Sequence, residues 1–515
     1  MTGPLEIITR SGTVRGLSDE GVRTWRGIPY AAPPVDELRL RAPRPPLPWT
    51  GVRDATRFGP VAPQDRKGPF GGASAATARS EDCLTLNVIA PADTSESLPV
   101  MVYIHGGAYS VGSPADLAFR GVNFVRRGCL HVTLNYRLNA FGYLDFSAYG
   151  FDNNLGLRDQ VAALEWVRDN IAAFGGDPAN VTVYGESSGA NAVTTLLTTP
   201  AAGDLFARAI AQSPPSNAVY FPDVTRQWAS EFMELLGARA GTEAEALRAA
   251  STDAMVTAAR LLFARVPDEY PGDQAFSPVI DGEYLPQHPV AAFKDGTAHP
   301  VPLIIGTNGR EGSVFFGRRR ILATTPSRIN GLLASTTDDG SALMRETYRL
   351  PSRRGALDFG GDFAFWFPTY EIAQHHSEAA PTWVYRLDYA PPLLRAVSID
   401  ATHGADLLTV FGRTRSWVGR LATLLGGAKA LAAVSDRMQD AWFQYATDGS
   451  VDASWPPYDT KTRANYIFDK TDRVELDSRA DRRRAWDVFV HVHPAPWLQA
   501  ADDEIAAPLE GLEKT

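Results

Sequence analysis

Five short apolar runs recur along the chain, each bounded by glycine or by polar residues. They occupy residues 100–104, 131–135, 181–184, 301–305 and 383–387. Runs of this length, rich in β-branched residues and without alternating polar positions, are typical of strands buried on both faces. We therefore predict that these runs form the interior of a parallel sheet.

A helical pattern separates the second run from the third. Residues 157–174 carry apolar side chains at helical spacing, namely Leu157, Val161, Leu164, Val167, Ile171 and Phe174. This spacing predicts an amphipathic helix that crosses over between parallel strands. Strands that alternate with such helices indicate an α/β fold with a mostly parallel, doubly wound central sheet. Ligands of such sheets bind beyond the carboxyl ends of the strands.

The strand rhythm is interrupted twice, near residues 217–265 and near 316–380. Both stretches look helical or irregular, and we interpret them as helical cap insertions that cover the site. No internal repeat is evident, and no linker separates two cores. Residues 1–515 are therefore predicted to form one domain.

Composition and charge narrow the possible partners. The chain has 44% apolar and 21% charged residues, which are ordinary values for a protein with a large core. Its formal net charge of −9 argues against nucleic acid, whose binding needs a cationic surface. A small-molecule substrate fits better. Only Cys83 and Cys129 are present, and we interpret both as reduced and buried, although one bridge between them stays open.

The sequence offers no membrane signal. Residues 1–10 lack a basic segment followed by an apolar one, and no later stretch provides eighteen uncharged apolar residues. We therefore expect a soluble, cytoplasmic protein without a membrane partner. The sequence leaves the oligomeric state open, and a monomer is favoured.

Candidate chemistry begins with the pentapeptide from Gly185 to Gly189, which follows the third apolar run. It places Ser187 between a strand and a helix, as in the nucleophile turn of an α/β-hydrolase. Side chains at the two outer glycine positions would collide with the neighbouring strand and helix. In a chain with 44 glycines the pattern could arise by chance, so the rest of the site must decide.

A second candidate, His-Gly-Gly-Ala at residues 105–108, follows the first apolar run. An oxyanion loop occupies this place in an α/β-hydrolase, and a plain turn is the alternative. We predict that the backbone N–H groups of Gly107, Ala108 and Ser188 form the oxyanion hole. His105 is interpreted as a structural part of this loop.

Residues 174–189 resemble the nucleophile signature of the type-B carboxylesterase and lipase family, which also contains the cholinesterases. Further similar stretches lie at 27–31, 81–88, 135–137, 277–282 and 455–458. The resemblance therefore covers nearly the whole chain, and the scarcity of lysine beside arginine fits a bacterial member. It implies the α/β-hydrolase fold, ester hydrolysis through an acyl-enzyme, and no metal or organic cofactor.

The resemblance also implies the partners of the serine. The family's acid lies in a Gly-x4-Glu-Gly segment, matched at residues 306–312, so that Glu311 is the candidate acid. The family's histidine precedes a segment that ends in Val-Phe-Gly, matched at 403–412, so that His403 is the candidate base. The order Ser187, Glu311, His403 is the one that α/β-hydrolases use.

Two further positions match residues near the family's triad. Glu186 is commonly glutamate in the family; it holds a water, supports His403, or is simply part of the turn. Ser213 resembles a serine close to the triad, but the family usually has glycine where Pro214 stands, which puts the local backbone in doubt. The resemblance also implies two structural salt bridges, Arg39 with Glu81 and Arg137 with Asp159.

The sequence indicates less about substrate selectivity than about the catalytic residues. Six aromatic residues either line a gorge or belong to the core: Tyr109, Phe315, Phe316, Phe363, Trp366 and Phe367. Cholinesterases carry a tryptophan shortly before the cysteine of the second signature, whereas residues 71–76 contain no aromatic, which disfavours choline esters. A lipase or an amidase of the same fold stays open. A catalytically silent binding protein is disfavoured because every triad position is filled.

Overall fold

The computed structural model describes residues 3, 5–19, 21–65, 73–74, 77–93, 97–116 and 120–492. The strands in these residues are β1 (Glu6–Thr9), β2 (Gly12–Arg15), β3 (Leu17–Asp19), β4 (Val22–Pro29), β5 (Val52–Asp54), β6 (Thr85–Pro91), β7 (Leu98–Ile104), β8 (Leu130–Leu134), β9 (Gly176–Glu186), β10 (Arg208–Gln212), β11 (Leu303–Asn308), β12 (Thr382–Leu387), β13 (Ala464–Phe468) and β14 (Arg473–Leu476).

The helices in the same residues are α1 (Val122–Val125), α2 (Asn139–Gly142), α3 (Leu155–Asn170), α4 (Ser188–Leu196), α5 (Pro222–Leu236), α6 (Glu243–Ala249), α7 (Thr252–Glu269), α8 (Pro289–Lys294), α9 (Pro326–Leu333), α10 (Asp338–Tyr348), α11 (Arg353–Gly361), α12 (Phe367–His376), α13 (Pro392–Ala396), α14 (Ala405–Val410), α15 (Trp417–Ala422), α16 (Ala428–Asp448) and α17 (Ala480–Val492). Short 3-10 turns include Ile171–Phe174, Glu311–Val314 and Arg413–Arg415, and a π-helical turn spans Asp362–Trp366.

The main sheet has eleven strands within the described residues, in the order β14-β13-β12-β11-β10-β9-β7-β8-β6-β4-β3. The seven strands from β13 to β8 in this order pair in parallel. Antiparallel strands complete both edges. The predicted mostly parallel sheet is confirmed, and all five apolar runs overlap its parallel strands.

The sheet is covered on both faces because its side chains alternate between two cores. Along β7, Val100 and Val102 enter one core, which also contains apolar residues of α3. Met101 and Tyr103 enter the other core, where α16 packs. Successive side chains of a strand point to opposite faces, so each face needs its own helical layer. This arrangement confirms the doubly wound architecture.

Both interruptions of the strand rhythm are helical. Residues 217–265 form α5, α6 and most of α7 between β10 and β11. Residues 316–380 form α9 to α12 and the π-helical turn between β11 and β12. The second insertion shares a separate core with α17, which includes Trp366, Phe367 and Trp486.

The two cysteines are unpaired and buried, as predicted. Burial raises the pKa of both thiols, so neither is a reactive thiolate at neutral pH. Both predicted salt bridges are formed, at 2.8 Å for Arg39 with Glu81 and 2.7 Å for Arg137 with Asp159. They join distant segments beneath the surface. Among the helices described, none is long and apolar enough to cross a membrane.

Candidate active site

Ser187 lies on the sharp turn between β9 and α4. Its backbone angles, φ 57° and ψ −126°, are rarely adopted by a residue with a side chain. Its N–H donates to the carbonyl of Gln212 at 2.9 Å, which ties the turn to the end of β10. A Cβ at Gly189 would come within 2.1 Å of the carbonyl oxygen of Ile104, so only glycine fits there. Tight packing therefore holds the strained turn, and Ser187 lines a cavity.

His403 lies between Ser187 and Glu311. Its Nε2 is 2.9 Å from Ser187 Oγ, and its Nδ1 is 2.7 Å from Glu311 Oε2. The imidazole stacks on Phe365 with ring centres 4.1 Å apart and an angle of 25°. Residues 216 and 92 positions apart are thus joined into one hydrogen-bonded chain.

Glu311 is buried and surrounded by donors. Ser213 Oγ donates to its Oε1 at 2.6 Å, and the side-chain amide of Asn308 lies 3.3 Å from the same oxygen. The backbone N–H of Asn308 also donates to this oxygen. Ser213 has a left-handed backbone, φ 53°, which brings its hydroxyl to Glu311 despite the proline that follows. These donors fix the position of the Glu311 carboxyl group beside His403.

Behind Glu311 lies a buried carboxyl that sequence reasoning did not single out. Asp406 accepts from Gln212 Nε2 at 2.9 Å, Tyr385 Oη at 2.8 Å and Asn308 Nδ2 at 3.3 Å. Burial raises its pKa. Its place three residues after His403 in the matched segment was the available signal.

Glu186 lies on the opposite side of His403. Its Oε1 is 3.3 Å from His403 Nε2, the nitrogen that also faces Ser187. Burial raises the pKa of Glu186 to about 8, against the attraction of His403. Burial lowers the pKa of His403, but Glu186 and the hydrogen-bonded Glu311 raise it to about 9. The two sides of the imidazole therefore carry carboxyl groups in different environments.

The predicted oxyanion loop lies beside this chain of residues. Gly107 has φ 124°, and a Cβ there would come 2.1 Å from the carbonyl oxygen of Val111. Tyr109 N–H donates to Ser188 Oγ at 3.2 Å, which joins the loop to the start of α4. Among the described residues, no acceptor faces the amides of Gly107, Ala108 or Ser188. These three N–H groups are therefore available as donors.

His105 supports the loop from within. It is buried, stacks on Tyr136 with ring centres 4.6 Å apart, and places Nδ1 3.0 Å from the carbonyl of Gly106. Burial lowers its pKa to about 4, so it is neutral at physiological pH. These contacts fit the structural role assigned to it from the sequence.

A cavity of about 610 Å³ opens in front of Ser187 and His403. Small residues of the oxyanion loop form one part of its wall, and another part is apolar, at Val111, Phe315, Ile321, Leu322 and Phe365. Arg413, Asp116 and Trp417 also line it. The volume suits a small organic molecule.

Of the six aromatic candidates, the structure places Phe315 alone among the residues that line this cavity. Tyr109 is buried, Phe316 is 43% exposed, and Phe363 and Phe367 line a separate cavity of about 330 Å³. Phe365, Ile321 and Leu322 were missed, because nothing in their local pattern distinguishes a cavity wall from a core.

Part of the segment that disfavours choline esters, at residues 70–72 and 75–76, lies outside the described residues. Within the described part of the chain, no group of three or more His, Cys, Asp or Glu side chains is arranged to hold a metal ion.

The sheet topology, with a serine on the strained turn after the strand β9, defines an α/β-hydrolase. The chain belongs to the carboxylesterase family, whose model, described as "Carboxylesterase family", matches residues 4–486. Because the chain belongs to this family and its relatives are named esterases, the protein is a carboxylic ester hydrolase.

Several known proteins are similar over nearly their whole length. The para-nitrobenzyl esterase of Bacillus subtilis is 36% identical, over 93% of this chain and 97% of that protein. The fumonisin B1 esterase of Sphingopyxis macrogoltabida is 33% identical, over 88% of this chain and 84% of that protein. A solved PNB esterase structure has a TM-score of 0.83 at 34% identity and covers 94% of this chain and 100% of its own.

Proposed function

We propose that the protein is a serine carboxylesterase that works through an acyl-enzyme, with Ser187, His403 and Glu311 as its catalytic triad. The observation that carries this proposal is the continuous hydrogen-bonded chain from Ser187 Oγ through His403 to Glu311 at the wall of a cavity of about 610 Å³. A nucleophile, a base that contacts it and an acid that orients the base are the parts that serine acyl transfer requires.

In the first half-reaction Ser187 Oγ attacks the ester carbonyl while its proton passes to His403 Nε2. The carbonyl π electrons move to the oxygen, and the N–H groups of Gly107, Ala108 and Ser188 stabilise the oxyanion. The tetrahedral intermediate collapses, the bond to the alcohol oxygen breaks, and His403 returns the proton to the leaving alkoxide. Glu311 stabilises the imidazolium that exists between these transfers.

In the second half-reaction water attacks the acyl-enzyme as His403 Nε2 accepts its proton. The bond from the acyl carbon to Ser187 Oγ breaks, the serine recovers its proton, and the carboxylic acid is released. Ser213 acts as a positioning residue through its hydrogen bond to Glu311. The attraction of Glu186 and Glu311 raises the pKa of His403 to about 9, so the neutral imidazole that a general base requires becomes more populated as the pH rises.

The substrate class follows from the cavity and from the relatives. The relatives include a para-nitrobenzyl esterase, a fumonisin B1 esterase and the phenmedipham hydrolase of Pseudarthrobacter oxydans. The mainly apolar wall supports uncharged carboxylic esters of small molecules. Long-chain lipase activity and amidase activity are the alternatives that a substrate series separates.

The experiment compares wild type, Ser187→Ala and Ser216→Ala on p-nitrophenyl esters of increasing acyl length and on matched anilides. We expect Ser187→Ala to lose about 10⁴-fold or more in kcat. Ser216 is the control, since its buried hydroxyl lies 2.9 Å from Thr194 Oγ1 and contacts no part of the site. Turnover by Ser187→Ala at the wild-type rate would disprove the assignment of the nucleophile.

Three further expectations concern the location, the partners and the oligomeric state of the protein. A cytoplasmic location stays a prediction, supported by two unpaired buried cysteines. The net charge of −9 supports the absence of a nucleic-acid partner. We also propose that the protein is a monomer.

A further inference from the structure

An exposed apolar surface lies at the mouth of the active-site cavity. This mouth patch comprises Trp417, Val418, Leu421, Leu424 and Leu425, which are 74%, 45%, 50%, 68% and 61% exposed. Fourteen large apolar side chains are exposed among the described residues, and five of them lie within the nine positions from 417 to 425. Trp417 itself lines the cavity. Clustering of this kind marks an interaction site, whereas single exposed apolar residues do not.

The helix α15 exposes its large apolar side chains instead of burying them in a core. It buries its small residues, Gly419 and Ala422, and exposes Trp417, Val418 and Leu421. A Cβ at Gly419 would come 2.1 Å from the carbonyl oxygen of Thr414, so the small face is packed tightly against the preceding 3-10 turn, Arg413–Arg415. A surface helix normally buries its large apolar side chains. Here the large apolar face is turned outwards and held there.

Basic side chains surround the mouth patch. Arg413, Arg415, Arg420 and Lys429 lie within residues 413–435, a stretch that contains no aspartate or glutamate, although the whole chain has a net charge of −9. Arg415, Arg420 and Lys429 are exposed. In the part of the chain that the structure describes, none of these four residues forms an ion pair. The local charge is therefore opposite to that of the molecule.

We propose that the mouth patch docks on an anionic lipid–water surface and that esters held at that surface enter the cavity beside Trp417. Exposed tryptophan and leucine flanked by arginine and lysine form the combination that binds the interfacial region of an anionic membrane. The inference rests on the proposed function, because it names the phase from which the ester arrives. It also departs from the sequence-based expectation that the protein has no membrane partner.

The charges disfavour a second copy of the chain as the occupant. A two-fold interface brings the same surface of both copies together. Arg415, Arg420 and Lys429 of one copy would then face the same cations of the other copy, which is unfavourable. An anionic surface satisfies both the apolar and the basic parts of the patch.

The test is flotation of purified protein with vesicles of phosphatidylcholine alone or with about 30 mol% phosphatidylglycerol. We expect binding to the anionic vesicles, weaker binding to the neutral ones, and release from the anionic ones at about 0.5 M salt, because exposed charges are then screened. The double variant Leu424→Asp/Leu425→Asp should partition about tenfold or more weakly, since it places two carboxylates in the apolar contact.

The matched control is Leu476→Asp, which introduces a carboxylate at a leucine 62% exposed on the edge strand β14. Its partitioning should equal that of wild type. Thermal unfolding checks that all variants fold. Equal loss of binding in Leu476→Asp and in the double variant would overturn the proposal, because the effect would then be one of net charge.

Two further outcomes would also overturn it. One is wild-type protein that turns over soluble p-nitrophenyl acetate in a Ser187-dependent manner but floats with neither vesicle; the proposed function would survive this result. The other is a dimer, measured by light scattering, that Leu424→Asp/Leu425→Asp converts to a monomer, because the patch would then be a protein interface. Conversely, vesicle binding by a protein without Ser187-dependent turnover would refute the function alone.

Discussion

The two sides of His403 present the same type of side chain in opposite environments. On the Nδ1 side, Glu311 accepts from Ser213, from Asn308 and from the imidazole itself. On the Nε2 side, Glu186 contacts His403 at 3.3 Å, and burial raises its pKa to about 8. Burial with few hydrogen-bond partners raises the pKa of the Glu186 carboxyl, whereas several donors hold the Glu311 carboxyl in place.

The proposed base His403 therefore has two glutamates as neighbours in different environments. Glu311, the proposed orienting acid, lies at Nδ1, away from the substrate. At Nε2, where the serine proton must be accepted, the charge of Glu186 raises the pKa of His403, and the burial that raises the pKa of Glu186 itself limits this effect. Environment rather than residue type therefore assigns the roles of Glu311 and Glu186.

The strongest test of this contrast is Glu311→Gln. The substitution keeps the shape but removes the charge that selects the Nδ1–H tautomer, so we expect kcat to fall by about 10⁴-fold. Steady-state kinetics on p-nitrophenyl butyrate measures the loss, and circular dichroism checks the fold. Glu186→Gln is the matched control on the other side of the ring. If Glu186→Gln lost more activity than Glu311→Gln, the two roles would have to be exchanged.

A smaller effect is expected from Ser213→Ala, which removes the donor 2.6 Å from Glu311 Oε1. A hydrogen bond to a charged group contributes about 1.5–3 kcal/mol, so kcat should fall about tenfold or more, with little change in KM. Ser216→Ala deletes a comparably buried hydroxyl away from Glu311 and should leave kcat unchanged. A rise in KM at constant kcat would show that Ser213 acts on substrate binding instead.

The smallest effect is expected from Glu186→Gln. Loss of this carboxyl removes a charge that raises the pKa of His403, so that pKa should fall and the acidic limb of kcat/KM should move to lower pH. At pH 8 the rate should stay within about tenfold of wild type. The pH profile of kcat/KM provides the measurement, with Ser216→Ala as reference. A limb that moved to higher pH would contradict the proposed electrostatic role.

Much of the fold could be predicted because the central strands have a strong local signal. The apolar runs within β7, β8, β9, β11 and β12 are continuous, since both faces of these strands are buried. The strand β10, Arg208–Gln212, was missed because two of its three apolar residues are alanines, which do not favour strands. The outermost antiparallel strands β3 and β14 carry a weaker pattern, because their residues are exposed or only half-buried.

The site also contains some residues that the sequence indicates and others that it does not. Ser187 could be proposed because a strained turn requires glycines at fixed positions, and Glu311 and His403 could be proposed through a family resemblance. The cavity wall at Phe365 and the buried carboxyl of Asp406 were not found, because an apolar or acidic residue has the same local pattern whether or not it faces a site. The structure alone brings their side chains to His403 and Glu311.

By itself the sequence indicated the class of chemistry, through a serine on a glycine-flanked turn, a set of buried strands and a family resemblance. The tertiary structure alone decided the environment of each group, including the different surroundings of Glu186 and Glu311 and the outward apolar face of α15. The physical reason is the distance along the chain between the residues that set each property. Turn geometry and strand burial depend on neighbouring residues, whereas pKa values and exposure depend on groups that distant segments bring within a few ångströms.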